Sequence, residues 1–269
     1  MSSAGRYRLI RRGLLSAVVG VSVCVVLAAP VSAFASRRTH VVVVVPPPVT
    51  EPTFGSSTAT CPTDQHVLFG GFENGMAGMR RTAINRWTVY AFKYGSPYPG
   101  GSAPLTVSSF VYCGYGPVPS KATSTVEIRH RPDNEASGSA TARCPAGTVV
   151  VAGGFATTPH SIVLVTGLER VAADLWRVSA YPLGGTHAAL TSIAYCGPGP
   201  APKLVSRTIK NYVSGPVRAM CPAGRQLVFG GATVKSTYGA NLGTLRAKTR
   251  STWTVDGIGE DMTALAYCR

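Results

Sequence analysis

Acidic side chains are scarce in this chain: Asp and Glu number 11 in 269 residues, against 26 Lys and Arg. Charged residues of both signs make up only 14%. Several chemistries lack their motifs. No His-x-Glu-x-x-His, nucleophile elbow, phosphate loop or Cys-x-x-Cys spacing occurs, so the signatures of zinc proteases, serine hydrolases, nucleotide-binding enzymes and zinc modules are missing. With 30 Gly, 20 Pro and few charges, the composition points to many short strands and turns rather than helices. Hydrophobic content of 45% supports a packed core and excludes general disorder.

The first 35 residues read as an export signal. Arg6, Arg8, Arg11 and Arg12 form a basic segment, Leu14 to Ala29 an apolar one, and Ala33-Phe34-Ala35 a small-x-small cleavage pattern. Cleavage near Ala35 is expected; a retained anchor is the alternative, with an apolar run slightly short for spanning. The mature form is then expected to be secreted or envelope-associated, without a stable transmembrane span. Of the seven cysteines, Cys24 would leave with the signal, and an even six would meet an oxidising compartment.

Those six mark a repeat. Cys61-Pro62, Cys144-Pro145 and Cys221-Pro222 each open a segment in which a Gly pair follows nine and ten residues later: Gly70-Gly71, Gly153-Gly154 and Gly230-Gly231. Each segment closes on Tyr-Cys, at Tyr112-Cys113, Tyr195-Cys196 and Tyr267-Cys268. Between them stands one tryptophan strand with period two, Trp87-Thr88-Val89-Tyr90-Ala91, Trp176-Arg177-Val178-Ser179-Ala180 and Trp253-Thr254-Val255-Asp256-Gly257. Trp, Val and Ala/Gly should take the buried face.

Further β-rich runs precede each copy, at Val41 to Val45, Thr125 to His130 and Leu204 to Ile209. The division is therefore a signal at 1–35 and β units at 36–116, 117–199 and 200–269, each of five or six strands. The expected fold is all-β: three homologous, disulfide-closed antiparallel units, stacked or arranged with pseudo-threefold symmetry. The repeat favours the pairings Cys61–Cys113, Cys144–Cys196 and Cys221–Cys268, with bridges between repeats as the alternative. The Gly pairs suggest positive φ or close approach to a neighbouring strand, with a ligand-contacting loop as the rival reading.

The Tyr-Cys closing strand and a core Trp between cysteines suggest an immunoglobulin sandwich, but the spacing excludes it. The Tyr adjoins the cysteine, and the Trp lies too far along the unit. The Cys-Pro-x-Gly…Gly-Gly…Trp-x-Val-x-Ala…Ala-Tyr-Cys pattern resembles secreted bacterial β-repeat proteins of unassigned function, over roughly residues 40 to 269. A weaker resemblance is to β-prism proteins, including vitelline outer-layer proteins and some lectins. These resemblances imply an exported β module and nothing about chemistry.

Candidate site residues are few. Histidines and carboxylates fall at unrelated positions of the unit, so no catalytic residue, metal ligand or cofactor is assigned. Asp174 beside Trp176, and Asp256, Glu260 and Asp261, are the places where a diverged unit could carry hydrolysis. Tyr94 and Tyr98, in a loop rich in Pro and Gly, could form a platform for a sugar ring. Formal net charge is +15, and residues 197–269 hold ten Lys/Arg against Asp256, Glu260 and Asp261. Lys203, Arg207, Lys210, Arg246, Lys248 and Arg250 are the binding candidates within that basic unit. Nucleic acid is not an expected partner of an exported chain. The leading expectation is a non-catalytic module binding an envelope polysaccharide or another anionic surface component. A secreted hydrolase and a structural protein without a small ligand are the alternatives.

Overall fold

The computed structural model describes residues 40–44, 54–73, 78–92, 107–129, 138–158, 163–182, 187–211, 215–235 and 241–269. The export segment and the loop holding Tyr94 and Tyr98 lie outside the described residues. Among those described, no helix is long and apolar enough to cross a membrane.

Among the described residues each repeat contributes six strands. The first gives β1 (His40–Val44), β2 (Phe54–Thr60), β3 (His66–Glu73), β4 (Gly78–Ala83), β5 (Arg86–Phe92) and β6 (Ser108–Gly114). The second gives β7 (Ser120–Arg129), β8 (Gly138–Arg143), β9 (Val149–Thr157), β10 (Val163–Ala172), β11 (Leu175–Pro182) and β12 (His187–Gly197). The third gives β13 (Lys203–Ile209), β14 (Val217–Met220), β15 (Leu227–Lys235), β16 (Asn241–Ala247), β17 (Thr252–Ile258) and β18 (Asp261–Cys268). Trp87, Val89 and Ala91 are buried on β5, Trp176, Val178 and Ala180 on β11, and Trp253 and Val255 on β17. Only β11 alternates strictly, because Thr88 and Thr254, expected on the outward face, are buried as well.

The strands do not form three self-contained sheets. The orders are β1-β6-β3-β16-β17-β14, β13-β18-β15-β10-β11-β8 and β7-β12-β9-β4-β5-β2. Every sheet thus takes the first, sixth and third strands of one repeat and the fourth, fifth and second of another. The sharing is cyclic, which gives the chain its pseudo-threefold organisation. All pairings are antiparallel, and the ladders joining two repeats are short: Met79 pairs with Phe155, Leu168 with Ala232 and Leu245 with Phe72. The third strands β3, β9 and β15, which carry the Gly pairs, also touch one another.

The three disulfides pair within repeats, Cys61–Cys113, Cys144–Cys196 and Cys221–Cys268. Each nevertheless joins two different sheets, because the second and sixth strands of a repeat belong to different sheets. Between them the bridges tie all three pairs of sheets.

The Gly pairs divide their work. A methyl group on the first glycine would overlap the indole of the same repeat: Gly70 on Trp87, Gly153 on Trp176, Gly230 on Trp253. On the second it would overlap a backbone carbonyl of another repeat: Gly71 on Leu245, Gly154 on Met79, Gly231 on Leu168. None of these six has positive φ; they are close-approach positions. A β-bulge precedes each pair, between Val67 and Phe69 on β3 and between Leu227 and Phe229 on β15, with the matching register shift where Tyr195 and Cys196 face β9.

Candidate functional site

The closing Tyr-Cys strands place one tyrosine at each junction between repeats. The Tyr195 hydroxyl accepts the Arg81 amide at 2.6 Å, Tyr267 accepts that of Arg170 at 2.8 Å, and Tyr112 accepts that of Ala247 at 2.7 Å. Burial pushes the Tyr195 and Tyr267 phenols up to about 12 and Tyr112 higher still, so all three hydroxyls are neutral at physiological pH.

Two of the junctions are filled by arginine. The Arg81 guanidinium lies over the Tyr195 ring at 4.8 Å and donates to the Pro119 carbonyl at 2.7 Å. Arg170 lies over Tyr267 at 4.7 Å and donates to the Pro202 carbonyl at 2.5 Å. Both pairs suit cation–π attraction in a partly desolvated setting.

The third junction departs from this pattern. Ala247 stands where the others have arginine, and among the described residues no side chain fills the space above Tyr112. The cleft has a volume of about 200 Å³ and is lined by Phe69, Tyr112, Gln226, Leu227, Ala247, Lys248, Thr249 and Arg250. Its floor is a stacked aromatic pair, Phe69 on Tyr112 with centroids 4.0 Å apart. Trp253 packs on Phe69 at 6.2 Å. The backbone fixes the repeat alignment here: the amides of Val67, Val150 and Leu227 donate to the carbonyls of Ile84, Ala173 and Arg250. Lys248 and Arg250 therefore occupy positions held by Thr82 and Ile84 in the first repeat and Val171 and Ala173 in the second. The first two repeats carry a cation inside the junction; the third carries two on its rim.

These rim cations belong to a basic end of the third repeat. Arg269 and Gln226 exchange backbone hydrogen bonds of 2.9 and 2.7 Å, and Lys203 pairs with Cys268. Lys203, Arg225, Lys248, Arg250 and Arg269 thus lie toward one end of the repeat. The acids lie at the other, where Lys235 pairs with Asp261 and accepts the Glu260 amide. Among the described residues neither Lys248 nor Arg250 has an ion-pair partner.

The sequence candidates separate accordingly. Lys248 and Arg250 meet at the cleft, and Lys203 shares their end of the repeat. Arg207 lies mid-strand on the edge strand β13, and Lys210 follows Ile209, which pairs with Met262 near the acidic end. Arg246 is engaged with Glu73 at 3.3 Å and lies over Phe110 at 5.5 Å. Asp174 pairs with Arg143 at 2.5 Å, and the Asp256 carboxylate accepts the Gly257 amide at 2.8 Å. Among the described residues no three His, Cys, Asp or Glu side chains converge as a metal site would need.

The residues that sequence reasoning missed are Arg81, Arg170 and Ala247. Their signal was available: each stands six residues before its tryptophan, and only the third is not arginine. No family model matches the chain, and no curated protein is detectably similar to it.

Proposed function

We propose that the chain is an exported, non-catalytic β module that holds an anionic polysaccharide or similar anionic component of the cell envelope. The observation that carries this reading is the charge separation within the third repeat. Lys203, Arg225, Lys248, Arg250 and Arg269 gather at one end, while Asp261 and Glu260 sit at the other. Like charges brought together on a surface raise its potential toward anions, and the attraction weakens as salt screens it. The three disulfides are typical of proteins that work outside the reducing cytoplasm.

The test is capture of the oxidised protein on an immobilised uronate polymer and on an uncharged glucan, at about 50 and 300 mM salt, which straddles the ionic strength where screening shortens below 10 Å. Capture confined to the uronate polymer and reduced at the higher salt is expected, with further loss in Lys248→Ala/Arg250→Ala. Equal capture on both matrices, or indifference to salt, would refute the reading.

A further inference from the structure

The cleft at the third junction says more than the surface charge does, and the inference drawn from it rests on the function just proposed. Its two counterparts show what the position is built to contain. In each, a planar polar group lies against a tyrosine face and reaches a backbone carbonyl. With Ala247, no side chain among the described residues fills that volume, yet the floor below it is unchanged: a tyrosine whose hydroxyl accepts the backbone amide above it.

A cation from outside would fit the shape but not the field. Lys248 and Arg250 stand at the mouth with no carboxylate paired to either among the described residues, so a second guanidinium or ammonium meets like charge at close range. Among the described residues no carboxylate lines the cleft to hold a divalent cation. An anion is favoured at the rim. A bare anion, however, would leave the rest of the lining unused, since Leu227, Ala247 and the buried rings of Phe69 and Tyr112 offer apolar surface. Gln226 adds a side-chain amide to the lining, while the Thr249 hydroxyl is engaged with Ser251.

We infer that this cleft binds a single six-membered sugar ring carrying one negative group, with the ring's C–H face on the apolar wall and the acid between Lys248 and Arg250. At about 200 Å³ the space admits one ring and not an oligomer, being smaller than the roughly 300–1,000 Å³ clefts that bury larger ligands. A polymer would be held here by one residue at a time. The negative group can be a carboxylate, as in a uronic acid, or a phosphate ester. Both present acceptor oxygens to the same two cations.

The experiment is an NMR titration of the full oxidised chain, following the amide signals of Ala247 and Leu227, with D-glucuronate, glucose 6-phosphate, D-glucose and inorganic phosphate as separate probes. One or both acid sugars should shift these signals with a Kd on the order of 1 mM, the scale for a ligand of this size. D-Glucose and phosphate should bind at least tenfold more weakly. Comparison of the two acid sugars tells carboxylate from phosphate ester.

The decisive variant is Ala247→Arg, which supplies the side chain that fills the other two junctions. It should abolish the ring titration in a chain that keeps its folded amide spectrum, with the thermal midpoint lowered because the new guanidinium meets Lys248 and Arg250. Lys248→Ala/Arg250→Ala should remove the preference for acid sugars over D-glucose. Unchanged acid-sugar binding in Ala247→Arg overturns the inference, as does phosphate binding as tightly as the acid sugars. If Ala247→Arg binds no ring but is still captured by the uronate polymer as the parent is, the polymer-binding reading stands and the cleft is not its site. If the parent takes neither ring nor polymer, both readings fall together.

Discussion

The amide of Ala247 donates a 2.7 Å hydrogen bond to the Tyr112 hydroxyl across 135 residues of sequence. With the Arg81–Tyr195 and Arg170–Tyr267 bonds it makes three equivalent links between repeats. Each tyrosine is buried, at 2% exposure or less, so removing its hydroxyl takes the partner from a half-buried amide donor. Tyr112→Phe, Tyr195→Phe and Tyr267→Phe should each lower stability by about 1–3 kcal/mol. Urea unfolding of the three variants measures this; a loss below 0.5 kcal/mol in all three would show that the links contribute little.

Arginine at a filled junction supports the fold more than its surface charge would. Arg81→Ala removes the contact over Tyr195 and the bond to Pro119, and Arg170→Ala removes the matching pair at Tyr267 and Pro202. Each should cost about 1–3 kcal/mol and open a cleft like the one beside Ala247. Lysine at either position keeps the charge but not the planar head, so Arg81→Lys should recover only part of the loss. Full recovery by lysine would mean that charge alone matters there.

Much of this architecture is readable from residue spacing, and the limits of that reading have a physical origin. The cysteine pairs, the tryptophan strands and the strand count follow from period and repetition, which are local properties. The sharing of sheets between repeats does not, because it depends on which edge the Gly-Gly strand meets. A carbonyl from another repeat over Gly71, Gly154 or Gly231 decides that. The charge of Lys248 and Arg250 was legible, whereas the cleft beside them was not. Its existence depends on Ala247 facing Tyr112, a contact visible only once the first repeat's last strand is placed two strands away from β16.

The two glycines of a pair should fail differently. Gly70→Ala meets the ring of Trp87, a fully buried side chain of its own repeat, whereas Gly71→Ala meets the Leu245 backbone on a different repeat. Overpacking typically costs about 1–3 kcal/mol where side chains can adjust, and more where they cannot. Gly70→Ala should therefore fold with reduced stability, and Gly71→Ala should be recovered in low yield or with its junction between β3 and β16 open. Hydrogen exchange of the Phe72 and Leu245 amides distinguishes the two; equal protection in both variants would contradict the division of roles.

Because each disulfide links a different pair of sheets, the three should contribute similarly. Their sequence separations are 52, 52 and 47, for which loop closure alone predicts about 4 kcal/mol apiece. Replacing both members of any one pair by serine should lower stability by about 2–5 kcal/mol, read by denaturant unfolding of the otherwise oxidised protein. One bridge proving dispensable while the others are essential would show that one pair of sheets is held by other contacts.

The first junction also carries an acid sensitivity that the others lack. His66 is buried, at 5% exposure, and burial first, with Arg81 second, lowers its pKa from the ordinary 6.5. The second and third repeats hold Val149 and Gln226 at this position, neither of which titrates. In the folded chain His66 stays neutral at pH values where the unfolded chain would protonate it. The unfolded state thus binds more protons, so stability is full above about pH 6.5 and falls as pH drops toward the folded-state value. Thermal midpoints between pH 8 and pH 4 should show this decline, and His66→Gln, which copies the third repeat, should flatten it in the range just below about pH 6.5. Arg81→Ala removes one of the two causes, so the His66 ring protons should titrate at a higher pH in that variant than in the parent. An unshifted titration would mean that burial alone sets the value and that Arg81 acts only on Tyr195 and Pro119.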